Sequence, residues 1–465
     1  MEERILIEGN VREFNRDQAQ CWGNTMLGLS RVREIANNDK QQTFTALMHH
    51  LTPELLKESF YQLKRNAAKG VDGISWHEYA ENLEVRLLDL YARVQRGRYK
   101  PKPARRVYIP KGNGEQRALS IQCTEDKIAQ QAVVTLLNQI YETDFKGFSY
   151  GFRQGRSQHD ALDALAYAIN KKKVNWVLDL DIRQFFDTVE HEWLIKMIQH
   201  RVRDRRLVKL IIRWIKVGVI NEAGGRDAAQ RGVPQGAVIS PLLSNIYLHY
   251  VFDLWSHQWR EKKAKGDVII VRYADDAVLG FQSKWDANEY LALLNRRLRE
   301  FGLATHPEKT RLIRFGRYAA EQCREKSEKL QTFDFLGFTH YCTTRRNNGE
   351  FKLGRKTIRK RLIKQIKAVQ VGLRKRMHDP VGLTLKWLRS VLSGHINYYG
   401  VPGNSKSVSL FREEVVKRWF KMLRRRSQRY TITWEKFGPM TRSFLPKVRV
   451  VHAYPEMRFR AKHLK

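Results

Sequence analysis

The amino-acid sequence predicts an α+β fold, with helices packed against one antiparallel sheet and an all-α basic segment behind it. Three observations predict it. Residues 268–281, Val-Ile-Ile-Val-Arg-Tyr-Ala-Asp-Asp-Ala-Val-Leu-Gly-Phe, set two short β-branched runs about a polar turn, the pattern of a β-hairpin with Asp275 and Asp276 at its tip. Residues 174–187 begin with a period-two alternation that puts Leu178, Leu180 and Ile182 on one face of a strand and Asp179 and Asp181 on the other. After about residue 350, Ile358, Leu362, Ile366, Val369 and Leu373 recur at helical spacing with Arg and Lys between them, and Phe411, Val415, Trp419 and Met422 repeat the pattern.

The remaining elements follow in order. Residues 1–50 form a mixed, polar N-terminal extension with no chemistry legible in it. Thr52-Pro53-Glu54 starts a helix through Leu55, Phe60 and Leu63, and a second helix over about 77–95 follows the Gly-bearing break at Asn66–Gly73. Residues 105–121 read as a hairpin turning at Gly112-Asn113-Gly114, which brings Lys111 and Arg117 toward one end. Two cations on facing strands can clamp a triphosphate, although basic hairpins are common on basic chains. Residues 231–248 combine a Gly/Pro loop with an apolar helix for which Ser240 is the expected N-cap and Pro241 the first turn. A helix over about 285–301 ends at Gly302, and residues 332–338 read as one further strand. Gly394–Gly400 lies between the two basic helices, and residues 431–465 are a basic tail expected to touch RNA or DNA.

Composition narrows the classes. A chain of 465 residues has room for two or three domains, and 86 Lys and Arg against 48 Asp and Glu give a formal charge of +38. Such a field calls for a polyanionic partner, nucleic acid before an anionic membrane surface. No apolar run is long enough to cross a bilayer, and the N-terminus lacks the basic and apolar regions of a signal peptide. Cys21, Cys123, Cys323 and Cys342 are far apart, which excludes a disulfide framework and a zinc site and suits a reducing cytoplasm.

Adjacent carboxylates repel and raise each other's pKa, a cost that a hard divalent cation removes. An isolated Asp-Asp is more often a solvated turn. Here it sits between core-like strands, and the chain also carries a strand-borne Asp181 and a Pro-Gln-Gly loop. Nucleotidyl transfer needs two metals roughly 3.5–4 Å apart, bridged by carboxylates. Asp181 and Asp275 are the natural bridging pair, with Asp276 in support.

The motifs Phe148–Ser157 (Phe-Ser-Tyr-Gly-Phe-Arg-Gln-Gly-Arg-Ser), Asp181–Asp187, Pro234–Pro241 and Tyr273-Ala-Asp-Asp276 resemble those of the group II intron-encoded reverse transcriptase/maturases. The resemblance runs from about residue 45 to 440, with Phe335–Phe338 and Gly394–Gly400 also fitting. It implies a right-hand polymerase: fingers and palm over 51–345, a helical thumb or maturase domain X over 346–430, then the basic tail. It implies RNA-directed DNA synthesis with two Mg²⁺ ions held by Asp181, Asp275, Asp276 and the Ile182 carbonyl. Lys111 and Arg117 would hold the incoming deoxynucleoside triphosphate, Phe186 would exclude a ribose 2′-hydroxyl, Gln235 would line the pocket, and Lys309 would lie near the pyrophosphate. Asp179 shares the strand face but has the wrong spacing to the Phe pair. Gln154, Ala237 and Ser244 depart from the family's usual Pro, Gly and Ala.

The implied partners are an intron RNA in a ribonucleoprotein, an RNA template with a DNA primer, and target DNA, with no membrane. Tyr398 and Tyr399 are candidates for stacking on RNA bases, with packing into the helical core as the alternative. With no Cys after Cys342 and no HNH-like cluster, mobility without an endonuclease is expected, in the cytoplasm and on the nucleoid when DNA is bound. Two other readings share most of these residues: a non-catalytic splicing cofactor, and a host-adopted reverse transcriptase in phage defence or repair.

Overall fold

The structure, a computed structural model, describes residues 26–110, 116–221, 225–227, 230–325, 330–345, 347–426 and 432–463. The expected hairpin and the expected Asp-bearing strand are neighbours in it. Strand β3 (Trp176–Asp181) pairs antiparallel with β7 (Asp276–Phe281) and, on its other edge, with β8 (Arg311–Arg314). Strand β6 (Val268–Tyr273) completes the central sheet, in the order β6-β7-β3-β8. The register sets Asp181 directly opposite Asp276.

Both faces of this sheet are covered, which is why its strands read as nearly continuous apolar runs. Leu178, Leu180, Ile270 and Leu279 belong to the largest core, with Leu243 and Ile246 of α5 (Ser240–Leu248) and Leu294 and Leu298 of α7 (Lys284–Glu300). Val177, Ile269, Val271 and Val278 face a second core with Leu162 and Leu165 of α4 (Gln158–Lys171).

The other described strands form two further sheets, so the expectation of a single sheet is corrected. The hairpin of β1 (Ala104–Pro110) and β2 (Gln116–Ile121) is antiparallel, as expected, with β4 (Val219–Ile220) added parallel to β1 and β5 (Arg226–Asp227) beyond it. Residues 332–338 are not one strand. They turn at Leu336 and Gly337, both with positive φ, between β9 (Phe333–Phe335) and β10 (Phe338–Thr344), and β11 (Phe351–Thr357) pairs with β10.

Helix α1 (Pro53–Gln62) starts where the sequence places it, with the Thr52 side chain accepting from the Leu55 N–H. The helix expected over 77–95 is two, Trp76–Ala80 and α2 (Leu83–Gln95), broken at Glu81-Asn82. Ser240 is not an N-cap: it lies inside α5 and its hydroxyl donates to the Pro234 carbonyl. The N–H of Ile239 at that helix start is met instead by the buried Gln130 of α3 (Thr124–Asp144), 3.2 Å away.

Helices α8 (Arg359–Lys375), α9 (Val381–Tyr399) and α10 (Ser405–Arg424) bury the predicted stripes in a third core, except for Ile358, which precedes α8 as its N-cap. The segment Gly394–Gly400 is the end of α9 and its cap, not a link between helices. Helix α11 (Trp434–Phe444) adds Phe437 to that core.

The last helix, α12 (Pro455–His463), lies against α4. Phe459 stacks on Tyr167 with ring centroids 4.5 Å apart. Lys462 Nζ is 2.7 Å from Asp160, and Arg458 Nε is 3.2 Å from Asp163. These two tail cations are engaged by the chain's own buried carboxylates. Burial pushes the Asp163 carboxyl up, and Arg355 and Arg458 oppose that shift. Arg458→Ala is therefore expected to cost about 1–2 kcal/mol in urea unfolding; an unchanged midpoint would show the contact to be neutral.

Candidate active site

The turn between β6 and β7 holds only Ala274 and Asp275, because Tyr273 already pairs with Asp276. Asp275 is thus at the tip and Asp276 opens the return strand. So short a turn puts Ala274 at φ 58, a left-handed conformation that costs a residue with a Cβ about 1–2 kcal/mol. Arg272 holds it there, its Nη1 donating to the Ala274 carbonyl at 2.9 Å.

Arg272 is 1% exposed, and every one of its bonds is to another buried group or to the turn. It donates to both carboxylate oxygens of Asp253 at 2.7 and 2.5 Å, to Asn245 at 3.1 Å and to Ser149 at 2.7 Å. Asp253 ends a π-helical turn (His249–Asp253) between α5 and α6 (Leu254–Lys262). Backbone bonds between Phe148 and Arg272 and between Arg272 and Tyr150, both 2.9 Å, lay the Phe148–Ser157 motif along β6. Gly151 then passes so close to the turn that a Cβ there would lie 2.3 Å from the Ala274 nitrogen. Sequence reasoning missed Arg272, Asp253, Asn245 and Ser149. The signals were an Arg inside an apolar strand and an Asp inside an apolar helix.

Asp181, Asp275 and Asp276 line the floor of one open cleft of about 1430 Å³. Desolvation on the cleft floor, with Asp275, Asp181 and Asp179 adding repulsion, holds the Asp276 carboxyl up at about 7. Asp275 is pushed up for the same reason, desolvation first and Asp181 next, while Arg117 and Lys309 oppose the shift. Lys309 Nζ is 3.3 Å from Asp181, so the lysine expected near a pyrophosphate rests here on a carboxylate. Asp179 is paired with Arg311 at 3.2 Å, and desolvation lifts its carboxyl to about 6.

Ile182 forms a bridge with Thr305, flanked by bonds from Arg183 N–H to the Ala304 carbonyl and from His306 N–H to the Asp181 carbonyl. That is the pattern of a non-hydrogen-bonded pair, so the bridge leaves the Ile182 carbonyl unused. Among the described residues no three His, Cys, Asp or Glu side chains are gathered closely enough to hold a metal ion as they stand. The donor chemistry nevertheless fits a hard dication, since carboxylates raised by mutual repulsion gain most from one.

The Pro-Gln-Gly loop ties the remaining candidates to this floor. Val233 N–H donates to the Phe186 carbonyl at 2.7 Å, and the Gln235 carbonyl accepts from Ser120 of β2 at 2.7 Å. Gly236, at φ +99, passes Ser120 where a Cβ would come within 3.0 Å of the carbonyl. Phe186, Gln235 and Arg117 all line the cleft, as do Tyr398 and Tyr399. Lys111 lies outside the described residues. Both tyrosines also pack into the surrounding core. Tyr399 is 4% exposed against Phe338 and His395, and Tyr398 stacks on Phe338 and donates to the Leu336 carbonyl at 2.8 Å. No described helix is long and apolar enough to cross a membrane.

A profile of the reverse transcriptase (RNA-dependent DNA polymerase) family matches residues 109–340, which hold the whole cleft floor. Protein YkfC of Escherichia coli (strain K12) is 42% identical over 202 residues, 43% of this chain and 52% of its own length. The group II intron-encoded protein LtrA of Lactococcus lactis subsp. cremoris is 33% identical over 227 residues, 48% of this chain and 37% of its own. Nuclear intron maturase 4, mitochondrial, of Arabidopsis thaliana is 27% identical over 133 residues, 29% of this chain and 16% of its own. The chain matches about half or less of the length of these curated relatives.

Two outcomes follow from the geometry. Arg272→Met leaves Asp253 buried and uncompensated, and is expected to cost about 3–5 kcal/mol in urea unfolding, most of it recovered by the added change Asp253→Leu. Asp276 has a folded pKa above its ordinary 3.8, so the folded state holds its proton more tightly than the unfolded one. Stability is then lost as pH rises from about 4 to about 7. In metal-free buffer the thermal midpoint of Asp276→Asn should gain on the wild type across that window and stay level below it; a constant difference at all pH values would contradict the raised pKa.

Proposed function

The chain belongs to the reverse transcriptase family, among the group II intron reverse transcriptase/maturases, and from that premise we propose that it is an RNA-directed DNA polymerase that binds its intron RNA, assists its splicing and copies it into DNA. The observation that carries this reading is the pairing of Asp181 with Asp276 across β3 and β7, with Asp275 beside them on the cleft floor. The central sheet would be the palm, the β1–β2 sheet the fingers, and the α8–α10 bundle the thumb.

Two Mg²⁺ ions bound by Asp181, Asp275, Asp276 and the Ile182 carbonyl would activate the primer 3′-hydroxyl and stabilise the leaving pyrophosphate. The protein's own groups do the positioning. Arg117 offers a cation to the triphosphate from the strand that docks on the Pro-Gln-Gly loop, and Lys111 is the second cation of that reading. Phe186 puts a ring beside the sugar position, where an added 2′-hydroxyl would clash. Lys309 pairs with Asp181 at 3.3 Å, and on this reading would turn toward the departing pyrophosphate. A chain that only bound RNA would gain nothing from desolvated carboxylates facing a polyanion, which weighs against the splicing-cofactor reading.

Asp275→Ala is expected to lower primer extension on an RNA template by at least about 10³-fold, with RNA affinity changed less than twofold in filter binding. Equal loss of both would make the carboxylate structural, and an inactive wild type would favour the cofactor. Phe186→Val should narrow the preference for deoxy- over ribonucleotides by about 10–100-fold in single-nucleotide incorporation. Cross-linking in native cells should recover one dominant structured RNA with exon junctions; a short RNA without junctions would favour the host-adopted enzyme.

A further inference from the structure

Four residues that carry a side chain hold a left-handed φ among the described residues: Phe152 at 58, Gln184 at 46, Ala274 at 58 and Leu336 at 46. All four line the cleft that holds Asp181, Asp275 and Asp276. Backbone in so disfavoured a region persists only where its surroundings over-determine it, and such positions gather at functional sites. Three of the four have an account in the structure. Arg272 holds Ala274, the Tyr398 hydroxyl donates to the Leu336 carbonyl, and the Gln184 carbonyl accepts from the Asp187 N–H at 2.9 Å. Phe152 is different. Its ring is 55% exposed and belongs to none of the three apolar cores.

Contacts on both sides fix the backbone beneath that ring. Before it, the Gly151 carbonyl accepts from Asn245 Nδ2 at 2.8 Å, and Gly151 is packed on the Ala274 nitrogen. After it, the buried Arg153 pairs with Glu142 at 2.8 Å and donates to the Lys146 and Ser149 carbonyls at 2.8 and 2.9 Å. Between these anchored neighbours the Phe152 ring meets that of Tyr273, with centroids 6.4 Å apart and planes at 45°. Burial cannot account for strain beneath a ring left half in water. The two rings also lie to one side of the aspartates. Tyr273, Leu336 and Tyr398 flank the second core, whereas Phe186 flanks the first, on the other face of the central sheet.

We propose that Phe152, with Tyr273, seats the 3′-terminal nucleotide of the primer, its ring packing on the sugar and on the edge of the terminal base pair so that the 3′-hydroxyl is held at the aspartates. Phe186, Gln235 and Arg117 are the residues read to hold the incoming nucleotide, so the strand end that it joins reaches the floor from the Tyr273 side. A paired terminus presents a flat, partly apolar profile that an aromatic face can match, and a mispaired one displaces its sugar. Misplacing a reacting atom by about 1 Å costs on the order of 10²-fold in rate. A ring that fixes the terminus therefore also makes the rate depend on whether that terminus is paired. The inference rests on the polymerase reading and adds a primer-seating residue to it.

The test uses the full chain with a DNA primer on an RNA template. Phe152→Gly removes the ring and suits a φ of 58, while Phe152→Tyr keeps the ring. In urea the glycine variant should unfold at a midpoint no lower than that of the wild type; a clear fall would make the ring structural and overturn the proposal. With a matched primer, kcat for the first nucleotide should drop at least about tenfold in Phe152→Gly, with the nucleotide KM within about twofold, and Phe152→Tyr should stay within about threefold of the wild type. The preference for a matched over a mismatched terminus should narrow by about tenfold. An unchanged kcat, or a loss confined to the nucleotide KM, would sink the assignment. Seating is read separately in metal-free buffer, with 2-aminopurine at the primer 3′ end. On binding, its fluorescence should change at least about twofold more with the wild type than with Phe152→Gly, and a label at the primer 5′ end should report no difference. Equal responses at the 3′ end would count against the seat. This readout needs no nucleotide addition, so an inactive wild type would defeat the polymerase reading alone and leave the primer seat to be decided by the fluorescence.

Discussion

The buried Arg272–Asp253 pair is the contact on which the floor of the cleft depends. A guanidinium removed from water survives only if its donors are met, and here they reach Asp253, Asn245, Ser149 and the Ala274 carbonyl. Those partners come from α5, the π-helical turn after it, the Phe148–Ser157 motif and the hairpin itself. One side chain thus fixes four stretches of sequence about the turn that carries Asp275. The strained backbone of Ala274 persists because this network over-determines it.

The electrostatics of the floor run against folding and in favour of binding. Three carboxylates stand together at the end of the sheet, and desolvation with repulsion from neighbouring carboxylates pushes two of them, Asp275 and Asp276, up. Lys309 and Arg311 offset part of this by pairing with Asp181 and Asp179. What they leave uncompensated is the attraction that a dication or a cation-bearing substrate would meet. The same floor is joined to the β1–β2 hairpin through the Pro-Gln-Gly loop, whose backbone touches both Phe186 and Ser120.

Charge is distributed rather than merely abundant. Of a formal +38, some cations are drawn inward to pair with buried acids, as Arg153 is with Glu142 and Arg201 with Asp144. Others close the chain on itself through α4 and α12.

The sequence by itself determined the elements whose periodicity is local. The alternation in β3, the β6–β7 hairpin and the apolar stripes of α8 and α10 all stand as read, because each side chain's face follows from its own strand or helix geometry. Motif spacing likewise singled out Asp181, Asp275 and Asp276. Only the tertiary structure decided what depends on meetings between distant segments. It set Asp181 against Asp276, rested Lys309 on Asp181, replaced Ser240 by Gln130 at a helix start and packed Tyr398 and Tyr399 against Phe338. It also distributed the strands over three sheets, and a two-residue turn at Leu336-Gly337 broke into β9 and β10 a run that reads as one strand. Register and long-range hydrogen bonds are pairings, and a pattern along one segment carries no information about its partner.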